Sequence, residues 1–102
     1  MINGHLIKHP DAVAEYEFVF TDSIPTDDFL GDYTVLVTDS EGIDVTEDLV
    51  LIASLDTDRV TVLFQGGLAG MNYTARVQVS MDLSTTTPVR IIELRVREES
   101  PS

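Results

Sequence analysis

Apolar and polar side chains alternate along most of this chain, and that period of two limits its fold more than any other feature. Tyr16, Phe18 and Phe20 alternate with Glu15, Glu17 and Val19. Tyr33, Val35 and Val37 alternate with Thr34, Leu36 and Thr38. Val60, Val62 and Phe64 alternate with Thr61 and Leu63, and Ile92, Leu94 and Val96 with Glu93, Arg95 and Arg97. The longest run sets Tyr73, Ala75, Val77, Val79 and Met81 against Thr74, Arg76, Gln78 and Ser80. A period of two puts one set on a buried face and the other on an open face, as in a half-buried strand. β-branched and aromatic residues fill these runs, which suits a pleated surface.

Turn formers separate the runs. Pro25, Gly31, Ser40-Glu41-Gly42, Asp56-Thr57-Asp58, Gly66-Gly67 with Gly70, and residues 84–88 each interrupt the alternation. Residues 44–55 are the one stretch with helical character, since Thr46 could cap a helix there; Val50, Ile52 and the Asp-rich flanks favour a strand. Short strands with turns every ten or so residues predict an all-β fold: an Ig-like antiparallel β-sandwich of about seven strands. The run Gly66-Gly67-Leu68-Ala69-Gly70-Met71-Asn72-Tyr73 sharpens this reading. It places a tyrosine just after a tight glycine loop and at the start of a strand, where the tyrosine corner of Ig-like sandwiches sits. Gly66, Gly67, Gly70 and Tyr73 are therefore expected as framework positions. The expected organisation is an N-terminal arm over residues 1–10, the sandwich over 11–98 and a polar tail over 99–102.

A chain of 102 residues is one ordinary domain, able to bury roughly 60–70% of its unfolded surface without staples. It has no cysteine, so disulfides, thiolate metal sites and cysteine nucleophiles are excluded. Eighteen Asp and Glu against six Lys and Arg give a net charge of −12. Phosphate backbones and anionic membranes are recognised by Lys and Arg, so neither nucleic acid nor membrane is an expected partner. No apolar run is long enough to span a bilayer, and residues 1–10 lack the charged and apolar regions of a signal peptide.

Catalytic patterns fail one by one. His5 and His9 have a metal-compatible spacing only on a helix, and Pro10 argues against one. Neither histidine is expected on an element firm enough for a Ser-His-Asp arrangement. The glycine run is followed by no lysine and by a strand, so it is no phosphate loop. Paired carboxylates could hydrolyse glycosides, but a chain with no tryptophan, three tyrosines and four phenylalanines has little to build a sugar cleft from. No cofactor is expected. Asp27, Asp28 and Asp32 surround one turn, and Asp39, Glu41, Asp44, Glu47 and Asp48 another. Loops like these can bind calcium, yet Gly42 falls fourth from Asp39 where an EF-hand needs it sixth. Solvated charge is the first reading of these loops, and a carbohydrate- or calcium-dependent adhesion module is the alternative function.

Two features could meet a partner. Phe29 and Leu30 lie in an acidic connection with Ile24 nearby; they close one end of the core or form an exposed anchor. Ile2, Leu6 and Ile7 could dock on a neighbouring subunit as an arm, or belong to a loose tail.

The run His9-Pro10-Asp11-Ala12-Val13-Ala14-Glu15-Tyr16 resembles the D-P-D-x-V-L-D-Y opening of small phage virion proteins of the fiber-tail adaptor type. Val60-Thr61-Val62-Leu63-Phe64-Gln65-Gly66-Gly67-Leu68-Ala69-Gly70-Met71-Asn72-Tyr73 resembles their V-T-V-W-L-S-G-G-T-A-G-x-x-Y core, and residues 90–98 their closing R-S-I-x-L-R-V-R-E strand. Phe20, and Leu63 or Phe64, stand near positions where that family carries tryptophan, and residues 22–56 match none of these motifs. The resemblance implies a non-enzymatic virion component that joins tail to fibers, contacts other virion proteins and assembles as a homo-oligomeric ring. In such a ring Arg76, Arg90, Arg95 and Arg97 would face acidic loops of adjacent copies. It transfers Tyr16, Gly66, Gly67, Gly70 and Tyr73 as framework positions and no catalytic residue.

Overall fold

The computed structural model describes residues 4–98. The five alternating runs become strands and two further strands, the first and fourth in chain order, join them: β1 (Gly4–Lys8), β2 (Ala14–Val19), β3 (Leu30–Thr38), β4 (Val50–Leu55), β5 (Arg59–Phe64), β6 (Asn72–Met81) and β7 (Val89–Val96). In β6 the predicted inward set, Tyr73 to Met81, is buried at every position, and its partners between are half-buried. Val60, Val62 and Phe64 of β5 and Ile92, Leu94 and Val96 of β7 are likewise inside.

The strands form two sheets, ordered β1-β7-β6-β3 and β2-β5-β4. With β1 as strand A and β2 to β7 as B to G, these are A-G-F-C and B-E-D. An Ig constant-type sandwich has the same C-F-G and B-E-D sets. Strand A makes the difference. It lies on the open edge of β7 and runs parallel to it, from Gly4 beside Ile92 to Lys8 beside Val96. The other ladders are antiparallel.

The inward faces share one core. Phe18, Phe20, Val60, Val62 and Phe64 come from the three-stranded side, and Val37, Ala75, Val77, Val79, Ile92, Leu94 and Val96 from the other. Burying a side chain such as Phe18 or Leu94 contributes about 1.5–3 kcal/mol, so this cluster supplies most of the drive to fold.

Residues 44–55 split between the two readings of the sequence. One helical turn, α1 (Thr46–Leu49), precedes β4 and buries Leu49. Thr46 does not cap that turn with its side chain. Its hydroxyl instead accepts the Val37 N–H at 2.8 Å and donates to the Asp44 carboxylate at 2.7 Å, tying the turn to β3. β4 then breaks the period of two, because the ladder slips between Val50 and Ile52 and leaves Leu51 and Ile52 exposed.

Candidate functional site

The connection from β5 to β6 is the corner that the glycine run predicts. Gly66, Gly67 and Gly70 take φ of +62°, +90° and +84°, where a side chain is disfavoured. At Gly67 space matters as well, since a Cβ would lie 2.7 Å from Val96 Cγ2. The turn aims Tyr73 inward with its ring buried, and the Leu68 N–H donates to its hydroxyl at 3.0 Å. This is the hydrogen bond of a tyrosine corner, reaching back a few residues from the start of the sixth strand. The Gly70 N–H donates to the Val96 carbonyl at 2.8 Å, so the corner also locks β7.

Lys8 joins the corner from the other end of the chain. It is buried, and its ammonium donates to the carbonyls of Gly66 at 2.6 Å and His9 at 2.7 Å. Burial pushes its pKa below the usual 10.5, against a smaller upward pull from Asp11. Sequence reasoning missed this residue. The available signal was its parity with Leu6, two positions earlier on the inward side of β1.

The proposed contact residues go to different places. Leu30 is 3% exposed and belongs to the core, whereas Phe29 is 45% exposed beside it. Leu6 packs against the core and Ile7 faces outward from β1. Ile2 lies outside the described residues, as does the expected polar tail 99–102.

The acidic turns use their carboxylates to hold backbone. Asp28 accepts the N–H groups of Phe29, Leu83 and Ser84 at 2.8–3.0 Å. Burial pushes its pKa up, but these bonds together with one from Asp82 outweigh that and hold it below the usual value. Asp39 accepts from Glu41 and Ile43, and the Thr46 hydroxyl and N–H hold Asp44 below the ordinary carboxylate value. Among the described residues no three His, Asp or Glu side chains gather as a metal site.

The bases are mostly engaged. Arg59 pairs with Asp58 and Glu17, and Arg95 with Glu93. Arg90 bonds to Ser23 and stacks 4.9 Å over the Phe20 ring, while Arg97 bonds to Asn72 and the carbonyls of Met71 and Val96. Arg76 differs. It projects from β6, opposite Leu36 of β3, and among the described residues it makes no hydrogen bond or ion pair. A depression of about 680 Å³ runs beside it between β3 and the segment containing α1. Thr34, Val35 and Leu36 line one side, and Asp44, Glu47 and Asp48 the other.

These surfaces surround a core filled by apolar side chains from both sheets. The sequence model of the podophage GP4 fiber-tail adaptor protein gp77 matches residues 8–92. The chain belongs to that family. The match runs from the last residue of β1 into β7, so the gp77 family pattern spans both sheets and the corner. Of the three stretches that carry the resemblance in the sequence, residues 9–16 and 60–73 lie inside it, and residues 90–98 run past its end at 92. Membership makes the chain a phage tail structural component of the fiber adaptor kind. No curated protein matches the chain.

Proposed function

We propose that this chain is a non-enzymatic part of the virion that joins fibers to the tail and works in multiple copies, as a homo-oligomeric ring contacting other tail or fiber proteins. The family match across residues 8–92 carries this reading. Two properties of the chain support it. The inward faces of both sheets are filled by apolar side chains, and the buried polar side chain among the described residues, Lys8, is engaged by the Gly66 and His9 carbonyls. The backbone is also tied at both ends of the sandwich, by Tyr73 and Lys8 at one corner and by Asp28 in the loops holding Phe29 and Leu83. A rigid frame of this kind suits a part that transmits position between larger bodies.

The chain would be made in the host cell and leave it within the particle. Mass spectrometry of purified virions tests the placement: the chain is expected among the tail proteins, and its absence from particles would overturn the reading. Sedimentation of the purified chain tests the copy number, with a defined oligomer larger than a dimer expected once the tail neighbours are added.

A further inference from the structure

The groove beside β3 is an unfilled place in a sheet. β3 is the outer strand of the order β1-β7-β6-β3, so one side of its backbone has no strand beside it. That side is closed at both ends. Near the C-terminal end, the Val37 N–H donates to the Thr46 hydroxyl and the Val37 carbonyl accepts the Val45 N–H, both at 2.8 Å. Near the N-terminal end, the Tyr33 N–H donates to the Asp32 carboxylate at 2.8 Å. Val35 lies between them. In an antiparallel ladder, residues two apart aim their N–H and C=O the same way, so Val35 aims both of its groups outward as Val37 does. Among the described residues nothing bonds to them across that edge. The opposite edge of the gap, on β4, is less regular. β4 is irregular at Leu51, and its Ala53 carbonyl accepts the Tyr33 hydroxyl at 3.1 Å.

An open N–H and C=O in a groove is the floor on which an extended segment adds itself to a sheet. The banks decide which segment. Asp44, Glu47 and Asp48 face Arg76 across the groove, three carboxylates to one guanidinium. A second copy of this chain is a poor occupant, because it brings the same carboxylates to the same edge and its bases other than Arg76 are engaged internally. We infer that the β3 edge at Val35 receives an extended segment carrying lysine or arginine from a different tail or fiber protein. Backbone bonds to Val35 would give the pairing, and Glu47 and Asp48 would select the charge. The inference rests on the adaptor reading and names the chemistry of one neighbour.

The test uses the full chain, labelled with nitrogen-15, and two capped heptapeptides, Thr-Lys-Val-Lys-Val-Lys-Thr and its counterpart with glutamate in place of lysine. The lysine peptide is expected to bind with an affinity that falls as salt rises, to protect the Val35 amide from exchange, and to outcompete the glutamate peptide by about tenfold or more. Val35→Pro removes the outward N–H, which an edge strand tolerates, at the cost of the Val35 side chain that packs against the core, and should weaken binding by about tenfold. Glu47→Lys with Asp48→Lys, both on exposed positions, should reverse the preference toward glutamate even if the proline variant folds poorly. No binding at millimolar peptide, binding indifferent to these changes, or self-association through β3 would each overturn the inference. None of these results would touch the presence of the chain in virions, which particle mass spectrometry decides separately.

Discussion

Replacing Gly67 with alanine separates the two demands that the corner makes on its glycines. At φ +90° an L-residue is strained, at a cost of about 1–2 kcal/mol. The new methyl would also sit 2.7 Å from Val96 Cγ2, a side chain fully buried between the sheets. Forcing a methyl into a packed interior costs about 1–3 kcal/mol more. Gly70 supplies the control, since its φ of +84° carries the same strain but an added Cβ meets nothing within 4 Å. Gly67→Ala should therefore lose about 2–5 kcal/mol and Gly70→Ala about 1–2 kcal/mol, out of a total of about 5–15 kcal/mol for a domain. Urea unfolding at matched slope measures both. At about 4–8 °C per kcal/mol, the two melting temperatures should separate by several degrees or more. The double variant identifies the contact: Val96→Ala should cost less in the Gly67→Ala background than alone, by about 1 kcal/mol or more. Equal losses at Gly67 and Gly70, or additive behaviour with Val96→Ala, would refute the steric argument.

Three further outcomes follow from the same geometry. Tyr73→Phe leaves the ring in place but removes the acceptor of the Leu68 N–H, and should cost about 1 kcal/mol in urea unfolding, with faster amide exchange at Leu68. Leu30→Ala should cost about 2–5 kcal/mol, as a buried leucine does, while Phe29→Ala next to it should change stability little because nearly half of that side chain is already in water. Lys8 sets a pH signature. Its folded pKa lies below 10.5, so between the two values the unfolded chain holds the extra proton and stability rises with pH. Subtracting the profile of Lys8→Met from that of the wild type should reveal this rise on the alkaline side of neutrality, and a flat difference would contradict the burial of the ammonium.

Most of the fold was legible because β5, β6 and β7 bury one face and wet the other, so their hydrophobicity has the period of their geometry. β1 was illegible for a related reason. Its inward positions are Gly4, Leu6 and Lys8 and its outward ones include Ile7, so burial alternates while hydrophobicity does not. Its parallel pairing depends on a strand some ninety positions away, which no local pattern encodes. β4 was half legible, since the slip at Leu51 exposes apolar residues that the pattern would bury. The tyrosine corner could be read because its glycines and tyrosine are near in sequence. The open edge at Val35 could not, because a free N–H follows from which strand ends up outermost, and side-chain identity is silent on that. Phe29 and Leu30 show the same limit at single-residue scale: adjacent and both apolar, they differ only in which way the chain turns into β3.

The parallel pairing of β1 with β7 has a mechanical consequence. The chain enters the sandwich beside Ile92 and leaves it beyond Val96, so the strand that begins the domain and the strand that ends it point the same way. A pull that separates their outer ends slides one strand along the other and does not peel them apart. Every rung between Gly4 and Lys8 is then loaded at once, and the ladder yields only when the rungs fail together. Lys8, anchored in the Gly66 loop, adds a cross-bolt at the end of that ladder. Tension applied between Gly4 and Val96 would therefore run along the domain's most resistant direction.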